Sequence, residues 1–193
     1  MKRLNTIHLQ LYHSPCGDLM LGSFEDKLCL CDWVTRKHKE AVSQRLQRML
    51  QAEYEERSSD ITLKASSQLD EYFRKQRTEF NLPLLFTGSV FQKKVWNKLL
   101  EIPYGKTVSY RELACLLDIP NAVRAVANAN GANAISIFVP CHRVIGSNHT
   151  LTGYAGGLEA KKMLLALEND GGAYSVFEDT QARLRNTTAS AKK

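Results

Sequence analysis

The chain has 193 residues, which is enough for one globular domain or for two small ones. With 44% hydrophobic and 24% charged residues it has the composition of an ordinary soluble protein. No apolar run approaches the ~18 residues that span a bilayer, and the basic start is not followed by an apolar segment. We therefore expect neither a signal peptide nor a membrane protein.

Charge and cysteine usage indicate the compartment and the kind of partner. The five cysteines are dispersed and form no C-x-x-C pair, which is typical of a reduced, cytosolic protein. Cys29 and Cys31 with His38 suggest a zinc site only weakly, because a fourth ligand is not evident, so we expect no metal. The formal net charge of +6 suits a polyanionic partner such as nucleic acid.

Residues 1–80 indicate a small α/β structural domain. Apolar and polar residues alternate in three short runs separated by turn residues, which predicts a three-stranded antiparallel meander. The three strands are predicted over 7–12, 19–24 and 28–34. Helical spacing of apolar residues then predicts two helices, over 38–56 and 62–77. This half shows no catalytic constellation, and we interpret it as a scaffold.

Residues 81–88 are predicted to link this domain to a second one over 89–170. Ser89 and Gln92 have the spacing of a capping box and predict the first helix of the second domain. A polar tail follows over 171–193, and we expect it to be partly disordered.

A helix-turn-helix is predicted inside the second domain. Ser109 and Glu112 again fit a capping box and predict a helix over about 110–117. Asn121 is a good N-cap for a second helix, and Gly131 is a natural C′ residue at its end. Paired helices of this kind are typical of DNA-binding proteins, although many such pairs never contact DNA.

The second helix is rich in alanine and carries one long basic side chain, Arg124. Such a helix either packs tightly against a neighbour or presses a smooth surface into a narrow groove, with Arg124 as a wedge. A helix that reads bases in the major groove usually carries several Arg, Gln or Asn side chains. The composition therefore favours contacts with the backbone and shape of DNA.

The stretch VPCHRVIG, residues 139–146, places Cys141 beside His142 and Arg143, which can stabilise a thiolate. The other four cysteines fit small buried apolar side chains. Adjacent side chains on an extended chain point to opposite faces, so we expect a water to bridge Cys141 and His142. His142 then needs an orienting carboxylate. Glu168 in the last helix is the candidate, with a solvated helix-end carboxylate as the alternative.

Together with the upstream IPYGKTVSYRELA and the downstream LTGYAGGLEAKKMLLALE, this stretch resembles the O6-alkylguanine-DNA alkyltransferase (methylated-DNA–protein-cysteine methyltransferase) family. The resemblance is close over 83–169 and loose over the first 80 residues. It implies an α/β (α+β) fold, with a small ribonuclease-H-like N-terminal domain and a mainly helical, winged-helix-like C-terminal domain. The implied activity is stoichiometric, irreversible transfer of the alkyl group from O6-methylguanine or O4-methylthymine in DNA to the protein's own cysteine.

The resemblance also implies roles for individual residues. Cys141 would accept the alkyl group, His142 would take its proton through a water, and Glu168 would orient His142. Asn133 would brace the turn beside the active site. Tyr110 would rotate the phosphate of the nucleotide and protonate the departing guanine at a ring nitrogen.

A pocket and a DNA contact are implied in the same way. The alkylated base would stack on Tyr154 and bind the main chain at Val144 and Ala155, with Tyr110 also in the pocket. Arg124 would fill the gap that the flipped base leaves. Further DNA contacts are implied at Arg111, Ser147 and Ala122.

The implied partner is double-stranded DNA with O6-alkylguanine, bound through the minor groove by a monomer that uses no cofactor. The implied location is the cytoplasm, at the nucleoid of a bacterium, or the nucleus of a eukaryote. The family's usual proline and glycine are replaced here by Ala134 and His149. Two alternatives remain open: an alkyltransferase-like protein that binds lesions without repairing them, and a helix-turn-helix regulator. The presence of Cys141 argues against the first, and the alanine-rich helix against the second.

Overall fold

The N-terminal half is a four-stranded sheet with two helices, in a computed structural model that describes residues 5–37, 39–148 and 150–169. Its elements are β1 (Asn5–Ser14), β2 (Gly17–Phe24), β3 (Lys27–Trp33), α1 (Lys39–Leu50), β4 (Ala52–Glu56) and α2 (Asp60–Phe73). The strand order is β3-β2-β1-β4, with β1–β2 and β2–β3 antiparallel and β4 parallel to β1. The predicted meander is confirmed.

The predicted helix over 38–56 is wrong in its last part, and the predicted three-stranded sheet lacks one strand. Helix α1 ends at Leu50, Gln51 takes a left-handed φ of 49°, and β4 follows at once. In β4, Ala52 is buried and Tyr54 is half-buried, while Glu53, Glu55 and Glu56 are exposed. This period-two pattern over five residues is too short to be distinguished from a helix end in the sequence.

Side chains from the sheet and both helices form the N-terminal core. Fully buried members include Ile7, Leu19, Leu21, Leu46 and Leu69. Burial of each such aliphatic side chain stabilises the fold by about 1.5–3 kcal/mol. Leu63, which has helical spacing in the sequence, instead faces solvent on α2.

The C-terminal half is mainly helical. Its elements are α3 (Val90–Leu100), β5 (Val108–Ser109), α4 (Tyr110–Leu116), α5 (Val123–Gly131), β6 (Val144–Ile145) and α6 (Gly157–Leu167), with β5 and β6 pairing in parallel. The predicted capping boxes are both present. The Ser89 and Ser109 hydroxyls accept hydrogen bonds from the backbone at Gln92 and Glu112, and the Gln92 and Glu112 side chains accept bonds in return. The helix pair α4–α5 is confirmed.

Both predicted caps of α5 are wrong. The Ala122 amide donates to the Ile119 carbonyl and closes a turn that contains Asn121, so Ala122 and not Asn121 is the N-cap. At the other end, Ala132 keeps a right-handed conformation, so Gly131 ends the helix without a left-handed turn. Arginine side chains from the N-terminal half bind the last carbonyls instead.

The free edge of β3 joins the two halves. The Leu28 amide donates to the Pro83 carbonyl in the linker, and the Leu28 carbonyl accepts from the Leu85 amide. Farther along β3, the Cys31 amide donates to the Ala134 carbonyl, and the Cys31 carbonyl accepts a hydrogen bond from the Ser136 amide. The strand therefore anchors the segment that leads to Cys141, and its unpaired edge is covered. Within the described residues, no helix is long and apolar enough to cross a bilayer.

Candidate active site

The segment before Cys141 is a tight turn that places the cysteine in the interior. Residues 135–139, which precede Pro140, pair only briefly, through the single Cys31–Ile135 and Ser136–Val139 bridges. Ile137 in this turn has a φ of 73°, which is a strained conformation for a β-branched residue. Residues Cys141–Arg143 then form one 3₁₀ turn. The expectation of an extended chain at Cys141 and His142 is therefore wrong, since the tight turn bends the backbone.

The thiol of Cys141 is buried and is held by Asn133. Cys141 is only 4% exposed, and the Asn133 amide Nδ2 donates to its sulfur at 3.2 Å and to the Val139 carbonyl at 3.0 Å. The Asn133 Oδ1 accepts from the Ile135 amide, so both ends of the side chain are fixed. Burial raises the pKa of the Cys141 thiol, and the Asn133 hydrogen bond opposes this rise. The resting cysteine is therefore a thiol that needs a base.

His142 and Glu168 form a fully buried pair. His142 Nε2 lies 2.8 Å from Glu168 Oε1, and neither side chain is exposed. Burial lowers the pKa of His142 although the Glu168 charge opposes this, so the imidazole is neutral at pH 7. Because Nε2 donates to the carboxylate, Nδ1 carries the lone pair. Nδ1 is buried and has no hydrogen-bond partner among the described residues, so it is free to accept a proton.

Glu168 caps the C-terminus of α6 and receives several other donors that the sequence did not predict. Arg143 donates from Nε to Oε2 at 2.8 Å and from NH2 to Oε1 at 3.0 Å, and the Gly105 amide donates to Oε2. The Tyr72 hydroxyl donates to Oε1. Burial alone would raise the pKa of Glu168, but the charges and hydrogen bonds of His142 and Arg143 hold it well below its usual range. The carboxylate is therefore permanently ionised near neutral pH.

A cavity of about 950 Å³ opens beside Cys141. Its lining residues include Tyr110, Asn130, Tyr154 and Ala155. The N-terminal half contributes further lining residues, which the interpretation as a mere scaffold did not foresee: Thr35, Arg36, Lys37, Ala41, Val42 and Arg45.

Val144 is buried, and its carbonyl accepts a hydrogen bond from the buried Lys161 Nζ at 2.6 Å. Lys161 also donates to the Thr152 carbonyl, so one side chain ties the active-site turn to the loop before Tyr154. Desolvation by burial lowers the pKa of Lys161 to about 8. The sequence analysis predicted neither the burial of Lys161 nor its partners, since the adjacent Lys162 is only half-buried.

Tyr110 opens α4 beside the cavity, and Asn130 Nδ2 lies 3.4 Å from its hydroxyl. Burial raises the pKa of Tyr110, so its hydroxyl keeps its proton at neutral pH and can donate it. The site thus brings together a buried thiol, a neutral imidazole and a phenolic donor around one cavity.

The cavity wall at Tyr154 rests on Trp33 of β3. Their rings meet edge to face with centroids 5.8 Å apart. A Cβ atom on Gly156 would overlap Cδ2 and Cε2 of Trp33, so only glycine allows the loop to approach this closely.

The predicted DNA-contacting side chains lie at the surface. Arg111, Arg124 and Ser147 are exposed, and Ala122 is half-buried at the start of α5. Among the described residues, no group of three or more His, Cys, Asp or Glu side chains could hold a metal ion. Cys29 and Cys31 are buried in β3. His38, His149 and the predicted tail over 171–193 lie outside the described residues.

Two family models match the chain. One is described as 6-O-methylguanine DNA methyltransferase, ribonuclease-like domain, over residues 7–86, and the other as the DNA binding domain of the same protein, over residues 90–170.

Relatives match over most of their length. A methylated-DNA–protein-cysteine methyltransferase of Methanosarcina acetivorans is 42% identical over 162 residues, which are 84% of this chain and 98% of the relative. The constitutive enzyme of the same name from Bacillus subtilis is 42% identical over 80% of this chain and 91% of its own. The solved structure of Mycobacterium tuberculosis OGT in complex with DNA superposes with a TM-score of 0.73, at 37% identity, over 88% of this chain and 97% of that one.

Proposed function

Because the chain belongs to the methylated-DNA–protein-cysteine methyltransferase family, we propose that it repairs alkylated DNA by direct reversal of the damage. It transfers the alkyl group of O6-methylguanine, and of O4-methylthymine, to Cys141 in a single irreversible turnover. The observation that carries this proposal is the placement of a buried thiol at the wall of a cavity, next to the buried His142–Glu168 pair.

The thiol loses its proton to His142. A water that bridges the sulfur and Nδ1 of His142 relays the proton, because Nδ1 is the nitrogen left with a free lone pair. Glu168 stays ionised and stabilises the imidazolium that forms. Asn133 keeps the sulfur in place through its 3.2 Å hydrogen bond.

The thiolate of Cys141 attacks the alkyl carbon in line with the bond to O6. The sulfur–carbon bond forms as the carbon–oxygen bond breaks, and the electron pair of that bond remains on the guanine. Tyr110 protonates the departing guanine at a ring nitrogen, and the His142 imidazolium returns its proton to Tyr110 through water. The net result moves one proton from Cys141 to the guanine and leaves a thioether, which water does not cleave, so each molecule acts once.

The alkylated base reaches the cavity by rotating out of the duplex, which costs a few kcal/mol. The exposed Arg124, in the first turn of α5, inserts from the minor groove and fills the gap. The base stacks on Tyr154 and bonds to the main chain of Ala155 and Val144. Arg111 and Ser147 contact the DNA backbone, and Ala122 makes a further contact with the DNA.

In this proposal, residues 1–80 form the supporting domain, 81–88 the linker and 89–170 the alkyl-transfer domain of a monomer. The chain works in the compartment that holds DNA. Because the two relatives compared come from an archaeon and a bacterium, we place it in the cytoplasm at the nucleoid.

The test is the mass of the intact protein after incubation with excess duplex that contains one O6-methylguanine. We expect a gain of one CH₂ per molecule, located on the Cys141 peptide and absent in Cys141→Ala. Cys115→Ala, which removes an exposed cysteine, is the matched control and should still gain the mass. No gain despite tight lesion binding would favour the lesion-binding alternative. No gain and no lesion preference would overturn the proposal.

A further inference from the structure

A tyrosine of the N-terminal half reaches the carboxylate of the active site. The Tyr72 hydroxyl on α2 donates to Glu168 Oε1 at 2.8 Å, across 96 residues of sequence. Tyr72 is completely buried. The same oxygen accepts the hydrogen bond of His142 at 2.8 Å.

Five donors converge on the Glu168 carboxylate. Oε1 receives Tyr72, His142 and the Arg143 NH2, and Oε2 receives the Arg143 Nε and the Gly105 amide. A carboxylate offers about four lone-pair sites. The five donors therefore share the lone-pair sites of the two oxygens. Removal of one donor changes the hydrogen bonds that the other donors make.

Packing holds the Tyr72 ring so that its hydroxyl points at the carboxylate. Phe73, Phe80 and Tyr104 surround the ring, with centroids 5.3, 5.4 and 6.2 Å away. Burial raises the pKa of Tyr72 well above its usual value, so the hydroxyl is a neutral donor at all working pH values.

We propose that Tyr72 is a positioning residue for alkyl transfer: its hydroxyl orients Oε1 of Glu168 and offsets part of its negative charge. Through this contact the N-terminal half sets how readily His142 takes the proton of Cys141. This inference rests on the proposed function of the site.

The direction of the effect follows from the charges around His142. Glu168 favours the protonated imidazole, whereas Arg143 in the same 3₁₀ turn and Lys161 on α6 disfavour it. Removal of the Tyr72 hydroxyl takes a neutral donor from the carboxylate and leaves the arginine and lysine in place. The carboxylate then attracts the imidazolium more strongly, so the pKa of His142 rises.

The experiment compares wild type, Tyr72→Phe and Tyr12→Phe. Tyr12 is the matched control, because it is also buried and its hydroxyl also donates to a carboxylate, that of Asp70 at 2.9 Å, which is not the carboxylate that His142 contacts. The His142 imidazole is titrated by nuclear magnetic resonance without DNA, and the single-turnover rate on the O6-methylguanine duplex is measured against pH. In Tyr72→Phe we expect both the His142 midpoint and the acid limb of the rate to move up by about half a pH unit or more. Tyr12→Phe should leave both unchanged.

A second variant keeps the tyrosine ring and hydroxyl in place, and we expect it to shift the pKa of His142 in the opposite direction. Difluorotyrosine incorporated at position 72 is a stronger donor, so we expect it to move the His142 midpoint to lower pH. This readout does not depend on Tyr72→Phe folding. A His142 titration that is unmoved in both variants, or moved in the same direction, overturns the inference. The titration needs no alkyl transfer, so a wild type that fails to react would refute the proposed function separately.

Discussion

The side-chain amide of Asn133 donates a hydrogen bond to the sulfur of Cys141 over 3.2 Å. The main-chain carbonyl of Asn133 accepts a hydrogen bond from Arg36 at 2.9 Å. A residue of the N-terminal half therefore holds the turn that carries the nucleophile. Arg36 also binds the Gly131 carbonyl at the end of α5 and pairs with Asp32. The attacking atom is thus positioned from both halves of the chain.

Asn133→Asp is expected to slow alkyl transfer by about tenfold or more, a loss of roughly 1.4 kcal/mol in the transition state. The substitution keeps the shape of the side chain but replaces the donor with a carboxylate oxygen beside the sulfur. A negative neighbour disfavours the thiolate, so the pKa of Cys141 rises further. The measurement is the rate of Cys141 with a small thiol reagent against pH, together with the transfer rate. Asn97→Asp, at an exposed position, should match wild type, and equal rates in all three proteins would contradict the role of Asn133.

The transfer rate is expected to stay level near neutral pH and to fall on acidification. Burial holds the pKa of His142 below the ordinary value of about 6.5. Lowering the pH through the folded pKa protonates Nδ1, and an imidazolium cannot accept the proton of Cys141. Single-turnover rates between about pH 5 and 8 test this. A rate that keeps rising steadily up to the upper end of this range would show that the free thiolate population, and not His142, controls the reaction.

Glu168→Gln is expected to cost about 3–5 kcal/mol of unfolding free energy, because it leaves the buried Arg143 without its counter-charge. The pKa of Glu168 is held below its usual value, so its stabilising effect is present above the unfolded pKa of about 4.3 and is lost as pH falls below it. The difference in unfolding free energy between wild type and Glu168→Gln should therefore shrink in acid. Denaturant unfolding at neutral and acidic pH measures it.

Glu159→Gln provides the control, since Glu159 lies exposed in the first turn of the same helix, α6. It should change the unfolding free energy by no more than about 0.5 kcal/mol. A Glu168→Gln protein as stable as this control would mean that water, and not the carboxylate, compensates Arg143.

The parts of the site that sequence reasoning predicted are those with a local signature. Capping boxes at Ser89 and Ser109 depend on residues three apart, and both predicted helices begin there. The motif around Cys141 resembles one family closely enough to imply the partners of the thiol. Such short patterns determine structure through bonds to the nearby backbone, so they can be read without the fold.

The contacts that were missed join residues far apart in the chain. Tyr72 meets Glu168, Arg36 meets Gly131, and Trp33 supports the loop at Gly156. No periodicity links these positions, since each contact depends on how the linker and β3 bring the two halves together. The interpretation of the first half as a scaffold did not include a further feature for this reason: some of its side chains also line the cavity.

Gly156→Ala is expected to lower the unfolding free energy by about 1–3 kcal/mol and to slow transfer, because the added methyl overlaps Trp33 and must push the Tyr154 wall aside. Gly153→Ala is the matched control on the same loop, where an added Cβ meets no described residue within 4 Å. Transfer from O6-methylguanine and from the larger O6-benzylguanine is measured for both variants. Identical behaviour of the two variants would show that the wall is free to move and that Trp33 does not support it.

Arg124→Ala is expected to slow transfer from duplex DNA by about tenfold or more, while transfer from free O6-benzylguanine stays unchanged. Arg124 is exposed and remote from the buried thiol network, so its loss should leave the chemistry at Cys141 intact. The substitution removes the side chain that fills the gap in the base stack, so the extruded base returns to the duplex more readily.

Loss of one positive charge also weakens attraction to the phosphates, and this effect must be separated from insertion. Arg48→Ala removes an exposed arginine from α1 and serves as the charge-matched control. Both variants are compared over a series of salt concentrations. If Arg124 inserts, its variant stays slow at a salt concentration where the Arg48 variant and wild type react alike. If the two variants slow equally, Arg124 contributes charge alone, and another side chain must fill the gap.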